Sequence, residues 1–425
     1  MNAPLARSRV ELVVVGLGYV GLPLLARAFE SGMSTAGFDV SEAVVEGLNA
    51  GRSHVTDVPD SAVADMAAAG FRASTDPAVI SEAETVVLCV PTGLAEGVPD
   101  LSAVRAAVRT VGEQLRPNTL VVLESTSYPG TTEELVRPLL ERASGLVAGE
   151  EFHLVYSPER IDPGNEFFGV RNTPKIVGGI TPLCAKHGVA FYGRFVDTLV
   201  VSRGTREAEM AKLLENTYRY VNIALVNEVA LFCDRTDIDV WDVLHCAGTK
   251  PFGYAPFQPG PGVGGHCIPV DPVYLETMAD GAGFSFRTLA AARAVNARMP
   301  EYVVARTERL LRDREQPVEG ARVLLLGVSY KPDIADTRES PAYPVASGLL
   351  RSGADVVYHD PGVRALEVDG RELPRVDSAE EALRAADIAI LLQDHSCYDP
   401  VRLVASRCLL LDTRGKLAGE NVRHL

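Results

Sequence analysis

The sequence predicts an α/β protein: two Rossmann-like, doubly wound domains joined by a central region of long helices. Three observations carry this expectation. Short β-branched runs alternate with helix-like stretches at both ends of the chain, as in buried parallel strands with crossover helices. A strand leading into a glycine turn occurs twice, at ELVVV-GLGYVG from Glu11 to Gly21 and at ARVLLLG from Ala321 to Gly327. Between Pro182 and Pro251 there is no proline, so the chain is free to form a long helix there. The expected domains are 1–203, 204–315 and 316–425.

In chain order, Glu11–Val15, Thr35–Val40, Thr85–Val90 and Leu120–Leu123 read as strands of the first sheet, and a helix follows the first glycine turn to about Ser31. Arg206 to Arg235 reads as one helix. Glycine and proline crowd Phe252 to Pro272 and predict an irregular loop. The helical stretch from Phe286 to Arg314 contains Pro300, which predicts a kink or break. Asp355–Tyr358, Ile388–Leu392 and Leu409–Leu411 follow Ala321–Gly327 as strands of the second sheet.

At 425 residues the chain has room for two or three domains. Its 41 basic and 56 acidic side chains give a net charge of −15, which argues against a general nucleic-acid or membrane-surface binder. Seven cysteines without a CxxC pair suit a reduced, cytoplasmic setting. Arg7 and Arg9 before the apolar run Val10–Phe29 mimic a signal peptide, but Gly16, Gly18, Gly21 and Pro23 interrupt it. No targeting or membrane-spanning segment is expected.

Four motifs carry chemistry. The first is Gly16-Leu17-Gly18-Tyr19-Val20-Gly21, in which glycines allow a tight turn, close approach of a pyrophosphate and close helix packing. Asp39, 23 residues after Gly16, suits a ribose diol and repels a 2′-phosphate, so NAD is expected rather than NADP. The second is GGHCIPVD, Gly264 to Asp271. Cys267 lies between glycines and a proline, open to a bulky electrophile, and Asp271 is placed to hold a water or a lysine. The other six cysteines read as core filler, His266 as structural or substrate-lining, and no metal site is expected. Third, Lys212 and Asn216 share one helix face at i, i+4 spacing. That face is either solvated, or it aims an ammonium and an amide at developing oxyanion charge. Fourth, Glu124-Ser125-Thr126 and Tyr156-Ser157-Pro158-Glu159-Arg160 follow strands, where a ligand crevice forms.

Together these residues resemble the UDP-glucose/GDP-mannose dehydrogenase family, the nucleotide-sugar 6-dehydrogenases. The match runs in order through GLGYVGL, VPT (Val90–Thr92), EST (Glu124–Thr126), SPER (Ser157–Arg160), KLLEN (Lys212–Asn216), GGHCIPVDP (Gly264–Pro272) and SYKPDIADTRESPA (Ser329–Ala342). The resemblance implies an N-terminal NAD domain, a central helical dimerisation domain, a C-terminal nucleotide-sugar domain and a homodimer. It also implies oxidation of a sugar C6 alcohol to a carboxylate with two NAD per turnover. By motif, Cys267 is then the nucleophile, and Lys212 and Asn216 stabilise oxyanions. Asp271 and Thr126 position water, and Glu159 is the acid–base glutamate. Gly16, Gly18, Tyr19, Val20, Gly21, Asp39, Thr92 and Arg338 contact NAD, while Phe257, Gly264, Lys331, Glu159, Lys212 and Asn216 contact the nucleotide sugar.

Two departures bear on the sugar. Val270 stands where many UDP-glucose enzymes have lysine, and Asp162 and Pro163 occupy the place of a second glutamate. With the loop Lys250–Gly262 these features resemble the branch acting on UDP-N-acetylhexosamines, and the base is left open between uracil and thymine. Two alternatives to a four-electron enzyme are a two-electron dehydrogenase of the hydroxyacid type and a non-catalytic NAD or nucleotide-sugar sensor.

Overall fold

The computed structural model describes residues 10–162, 165 and 167–425; Arg7, Arg9 and Pro163 lie outside the described residues. The chain divides into two compact units, one reaching to Glu215 and including Val273–Ala282, the other comprising Asn216–Pro272 and Gly283–Leu425.

The first unit is built on eight strands: β1 (Val10–Val15), β2 (Thr35–Phe38), β3 (Arg72–Ser74), β4 (Ala83–Leu88), β5 (Leu120–Leu123), β6 (His153–Tyr156), β7 (Lys175–Gly179) and β8 (Leu199–Val201). Their order across the sheet is β8-β7-β6-β5-β4-β1-β2-β3. Leu12 to Val15 are at most 1% exposed, which is why β1 is apolar without alternation: helices cover both faces. The chain reverses direction across the sheet between β1 and β4, and that switch opens a crevice at the strands' carboxyl ends. The strands are parallel through β6, but β7 pairs with β6 antiparallel, so the sheet is mixed at this edge. Helix α1 (Gly21–Glu30) packs Leu22, Leu24 and Leu25 into the core. Helix α2 (Pro182–Tyr192) is started by Thr181, whose hydroxyl accepts from the Cys184 N–H, with proline at the position where the lost N–H costs nothing.

The second unit holds a wholly parallel five-stranded sheet. Its strands are β9 (Arg322–Leu326), β10 (Asp355–His359), β11 (Ile388–Leu391), β12 (Leu409–Asp412) and β13 (Val422–His424), in the order β10-β9-β11-β12-β13. Helix α3 (Thr205–Thr236) is continuous over 32 residues, and the division between the units falls within it. Helix α4 (Asp271–Gly281) ends the cysteine loop. Helix α5 (Arg287–Arg312) settles one of two expectations: it is not broken at Pro300 but runs on as helix through it. Met299, Pro300, Val303, Leu310 and Leu311 are all buried along it, and this apolar contact outweighs the hydrogen bond that proline removes.

A buried polar link fixes the loop before Cys267. The Asn227 amide donates to Asn296 Oδ1 at 2.9 Å, and the Gly260 N–H donates to Asn227 Oδ1 at 2.9 Å. A glycine- and proline-rich segment of this kind cannot pair its own backbone groups, so anchoring to two helices sets its course. Among the described residues, no helix is long and apolar enough to cross a membrane.

Candidate active site

In the first unit, the turn after β1 has the shape of a dinucleotide cradle. Gly16 has φ +91°, and a Cβ there would lie 2.6 Å from the Cys89 carbonyl oxygen. A Cβ on Gly21 would lie 1.9 Å from the Gly16 oxygen, so both positions require glycine. Gly18 differs: nothing lies within 4 Å of its Cβ position. The open space beside Gly18 faces no packing demand, which fits close approach of a ligand to the backbone. Helix α1 begins here with Val20 as its cap, no side-chain cap bond and no acidic residue in its first turn, so its N–H groups suit an anion.

Asp39, half-buried at the end of β2, accepts from the Leu17 N–H (2.8 Å) and the Ser41 N–H (2.9 Å). Each oxygen keeps a second lone pair for a ribose hydroxyl. Tyr19 is 54% exposed beside the turn. These residues fit NAD: two glycines that the turn needs, one that it does not, an uncapped helix start and a carboxylate.

Thr92 and Thr126 are half-buried just beyond β4 and β5. Ser125 Oγ donates to the Val90 carbonyl at 2.8 Å, tying the VPT and EST turns together at the crevice. Beyond β6, Glu159 Oε1 accepts from the N–H groups of Arg160 and Ile161, and the Arg160 guanidinium lies 2.8 Å from Glu215. Lys212 and Asn216 are both buried on α3. Their shared face is therefore not solvated, and the bland alternative falls.

In the second unit, the cysteine loop packs on the segment after β9. A Cβ on Gly264 would lie 2.7 Å from Tyr330 Cβ, and one on Gly265, at φ +89°, would lie 2.8 Å from the Tyr330 ring. The Gly265 N–H donates to the Arg338 carbonyl at 3.0 Å. Both glycines thus let two motifs that are distant in sequence lie in contact.

Cys267 is half-buried. Its carbonyl accepts from the N–H groups of Val270 (3.1 Å) and Asp271 (2.8 Å), which places it on the entry turn of α4. Asp271 is 1% exposed, and its Oδ2 accepts from Asn216 Nδ2 at 2.5 Å. Arg338 is held by Asp336, with Nε 3.0 and 2.9 Å from its two oxygens. Phe257 is half-buried edge-on to Tyr218, with centroids 5.7 Å apart. Lys331 is half-buried, and its carbonyl accepts from Ser329 Oγ at 2.8 Å.

None of the seven cysteines forms a disulfide. Cys89, Cys184, Cys233 and Cys408 are buried, as core filler should be, but Cys246 and Cys397 are exposed. The core-filler reading fails for those two because they lie in a surface helix and a surface turn.

Sequence reading did not single out Lys175 or Tyr192, both of which meet the buried Glu124 carboxylate, Lys175 at 3.0 Å and Tyr192 through its hydroxyl. Lys175 opens the apolar run KIVGGI; a lone lysine at the start of a buried strand was the available signal.

Three family models match the chain in order: the UDP-glucose/GDP-mannose dehydrogenase family NAD binding domain over residues 10–196, its central domain over 206–298 and its UDP binding domain over 324–418. An NDP-N-acetyl-D-galactosaminuronic acid dehydrogenase of Ralstonia solanacearum is 36% identical over 418 residues, covering 95% of each chain. A UDP-N-acetyl-D-mannosamine dehydrogenase of Salmonella typhi is 34% identical over 427 residues, covering 96% of this chain and 99% of the relative. Among solved structures, a UDP-D-ManNAc dehydrogenase from Pyrococcus horikoshii superposes with a TM-score of 0.88 at 32% identity, covering 97% of this chain and 98% of that one. The chain belongs to the UDP-glucose/GDP-mannose dehydrogenase family, as an NAD-dependent dehydrogenase of nucleotide sugars.

Proposed function

We propose that the protein oxidises the C6 alcohol of a UDP-N-acetylhexosamine to the carboxylate, in four electrons, through a thioester on Cys267. The observation that carries this reading is the setting of Cys267. It is half-buried on the entry turn of α4, its carbonyl accepting from the Val270 and Asp271 N–H groups, and its loop is fixed by two glycines that no larger residue can replace.

Bound NAD supplies the hydride acceptor, once for each of two oxidations. Cys267 sulfur adds to the aldehyde carbon formed first and keeps it from leaving; loss of the second C–H hydrogen makes the thioester. The buried Lys212 ammonium and Asn216 amide stabilise the oxyanions. Asp271, anchored on Asn216, and Thr126 orient the attacking water. Glu159 takes that water's proton as the C–S bond breaks, releasing the acid and the thiolate. Lys331, Gly264 and Phe257 hold the nucleotide sugar. Gly16, Gly18, Tyr19, Val20, Gly21, Asp39, Thr92 and Arg338 hold the cofactor.

The N-acetylhexosamine preference rests on Val270, on the loop Lys250–Gly262 and on the activities for which the relatives above are named. We further propose a homodimer. Tyr218, Leu225 and Phe232 are each at least 50% exposed at seven-residue spacing along α3, an apolar seam of the kind that helices use to pair. The division 1–203, 204–315 and 316–425 is kept as the functional one, within a reduced cytoplasmic setting.

Counting NADH per sugar consumed, across UDP-glucose, dTDP-glucose, UDP-GlcNAc and UDP-ManNAc, tests the reading. Two NADH per N-acetylhexosamine, with Cys267→Ser losing the second oxidation at least 100-fold, is expected. One NADH would support the two-electron alternative, and none the sensor.

A further inference from the structure

Beneath the turn that carries Glu159 lies a buried charge cluster with one cation and two carboxylates. Lys175, at the start of β7, is 6% exposed, and Glu124, just beyond β5, is 1% exposed. Lys175 Nζ lies 3.0 Å from Glu124 Oε1 and 3.9 Å from Glu159 Oε2. It also donates to the Pro158 carbonyl at 3.4 Å, the residue that sets the path of the chain into Glu159. The Tyr192 hydroxyl donates to the same Glu124 oxygen, and Lys175 Nζ stands 4.9 Å from the Tyr192 ring centroid.

We infer that Lys175 is a positioning residue for Glu159, and that Glu124 sets how much of the lysine's charge Glu159 receives. This rests on the acid–base role proposed for Glu159. An ammonium removed from water must be paired, and a buried pair is strong only when its geometry is fixed. Here Tyr192 and β5 hold Glu124, and Glu124 holds Lys175. Lys175 in turn steadies Glu159 both through its charge and through the backbone at Pro158.

The other groups around the cluster do not compete. Burial pushes the Cys89 thiol and the Tyr192 hydroxyl well above their usual ranges, so both stay neutral. Arg160, the other cation of the turn, is engaged by Glu215. Lys175 itself is held charged by Glu124 and Glu159 against the opposing effect of burial. Burial pushes the Glu124 carboxyl up, against the pull of Lys175 and the Tyr192 hydroxyl. The ammonium attracts both carboxylates and the carboxylates repel each other, so removing either end of the Lys175–Glu124 pair changes Glu159 in opposite senses. Without the lysine, Glu159 gains proton affinity. Without the negative charge at position 124, its repulsion of Glu159 is lost while the ammonium remains, which favours the ionised form of Glu159.

The test is the pH dependence of sugar-acid release in a single turnover of the full-length enzyme with NAD and a UDP-N-acetylhexosamine. A base must be ionised, so the rate rises with pH along an acidic limb. Lys175→Met is expected to move that limb up by about one pH unit, and Glu124→Gln to move it down by a comparable amount. Lys175→Arg should return it towards the wild-type position. A purely structural role for the pair would lower the rate in both variants with the limb unmoved, or moved in one direction only, and either result overturns the inference. If Lys175→Met does not fold, Glu124→Gln and Lys175→Arg alone decide the sign. Glu159→Gln separates the two layers: release at the wild-type rate would remove the base role and the inference with it. Slow release in Glu159→Gln, with limbs unmoved in the other variants, would remove the inference alone.

Discussion

The turns that end β1 and β9 are built alike and used differently. In each, a glycine with positive φ, Gly16 at +91° and Gly327 at +75°, tucks under a carbonyl of a neighbouring segment, Cys89 or Gln393, with no room for a Cβ. In each, the glycine N–H donates at 2.9 Å to the last residue of the next strand, Phe38 or His359. In each, an aspartate beyond that strand accepts the following N–H at 2.8 Å, Asp39 from Leu17 and Asp360 from Val328.

The difference lies in what is left over. Asp39 is half-buried and has capacity for a ligand. Asp360 is wholly buried, accepts from the N–H groups of Val328, Ser329, Gly362 and Val363, and lies 3.0 Å from His395 Nε2. After Gly327 the next helix waits until Ala342, whereas α1 starts at Gly21. A strand, a glycine and an acid therefore make only the frame of a nucleotide site. A dinucleotide also needs a helix start at the turn and an acid not already spent on its own chain.

The comparison breaks most visibly at Asp360. Against the pull of burial, His395 and the N–H groups of Val328 and Val363 depress its carboxyl to about 2. A depressed acid stabilises the fold above its unfolded value near 4, and that stability is lost as pH falls from there through the folded value. Asp360→Asn should cost on the order of 2–3 kcal/mol at neutral pH and flatten the acid limb of denaturant-measured stability between about pH 4 and 2. NAD affinity should be unchanged. An unaltered acid limb would show that Asp360 is not the group that holds this turn.

A smaller effect, confined to binding, is expected from Gly18→Ala. Its Cβ meets no protein atom, so unfolding should match wild type while NADH affinity falls roughly 10- to 100-fold (about 1.4–2.8 kcal/mol) in a fluorescence titration. Full affinity would mean that the backbone there is not approached by cofactor. The smallest effect is Asp39→Ser, which removes a ribose acceptor and a charge that repels phosphate. The NAD-over-NADP preference in kcat/KM should fall about tenfold, one or two such bonds' worth. An unmoved preference would put the ribose elsewhere.

Much of the fold could be read from the chain because its strands are buried on both faces. Leu120–Leu123 has the expected bounds, since an unbroken apolar run between polar turns has only one way to be covered. The glycine turn and Asp39 were legible for a different reason: Gly16 and Gly21 are demanded by the close packing of the turn, and Asp39 by the N–H groups it accepts from. That the helix continues through Pro300 rather than breaking was not legible, because the packing that holds it there is supplied only by the tertiary fold. The antiparallel turn of β7 was invisible because β-branched runs do not encode strand direction. Lys175 and Glu124 were missed as a pair because they are 51 residues apart and their meaning lies in a distance. The i, i+4 spacing of Lys212 and Asn216 put them on one face of α3, while the burial of that face depends on what packs over it.

The covalent role of Cys267 is best tested by intact-mass and peptide-level spectrometry of Glu159→Gln, quenched after mixing with NAD and a UDP-N-acetylhexosamine. The account predicts a uronyl adduct on the peptide containing Cys267, absent from the double variant with Cys267→Ser. Release of two NADH per sugar with no adduct at any time, or with the adduct on another cysteine, would contradict it.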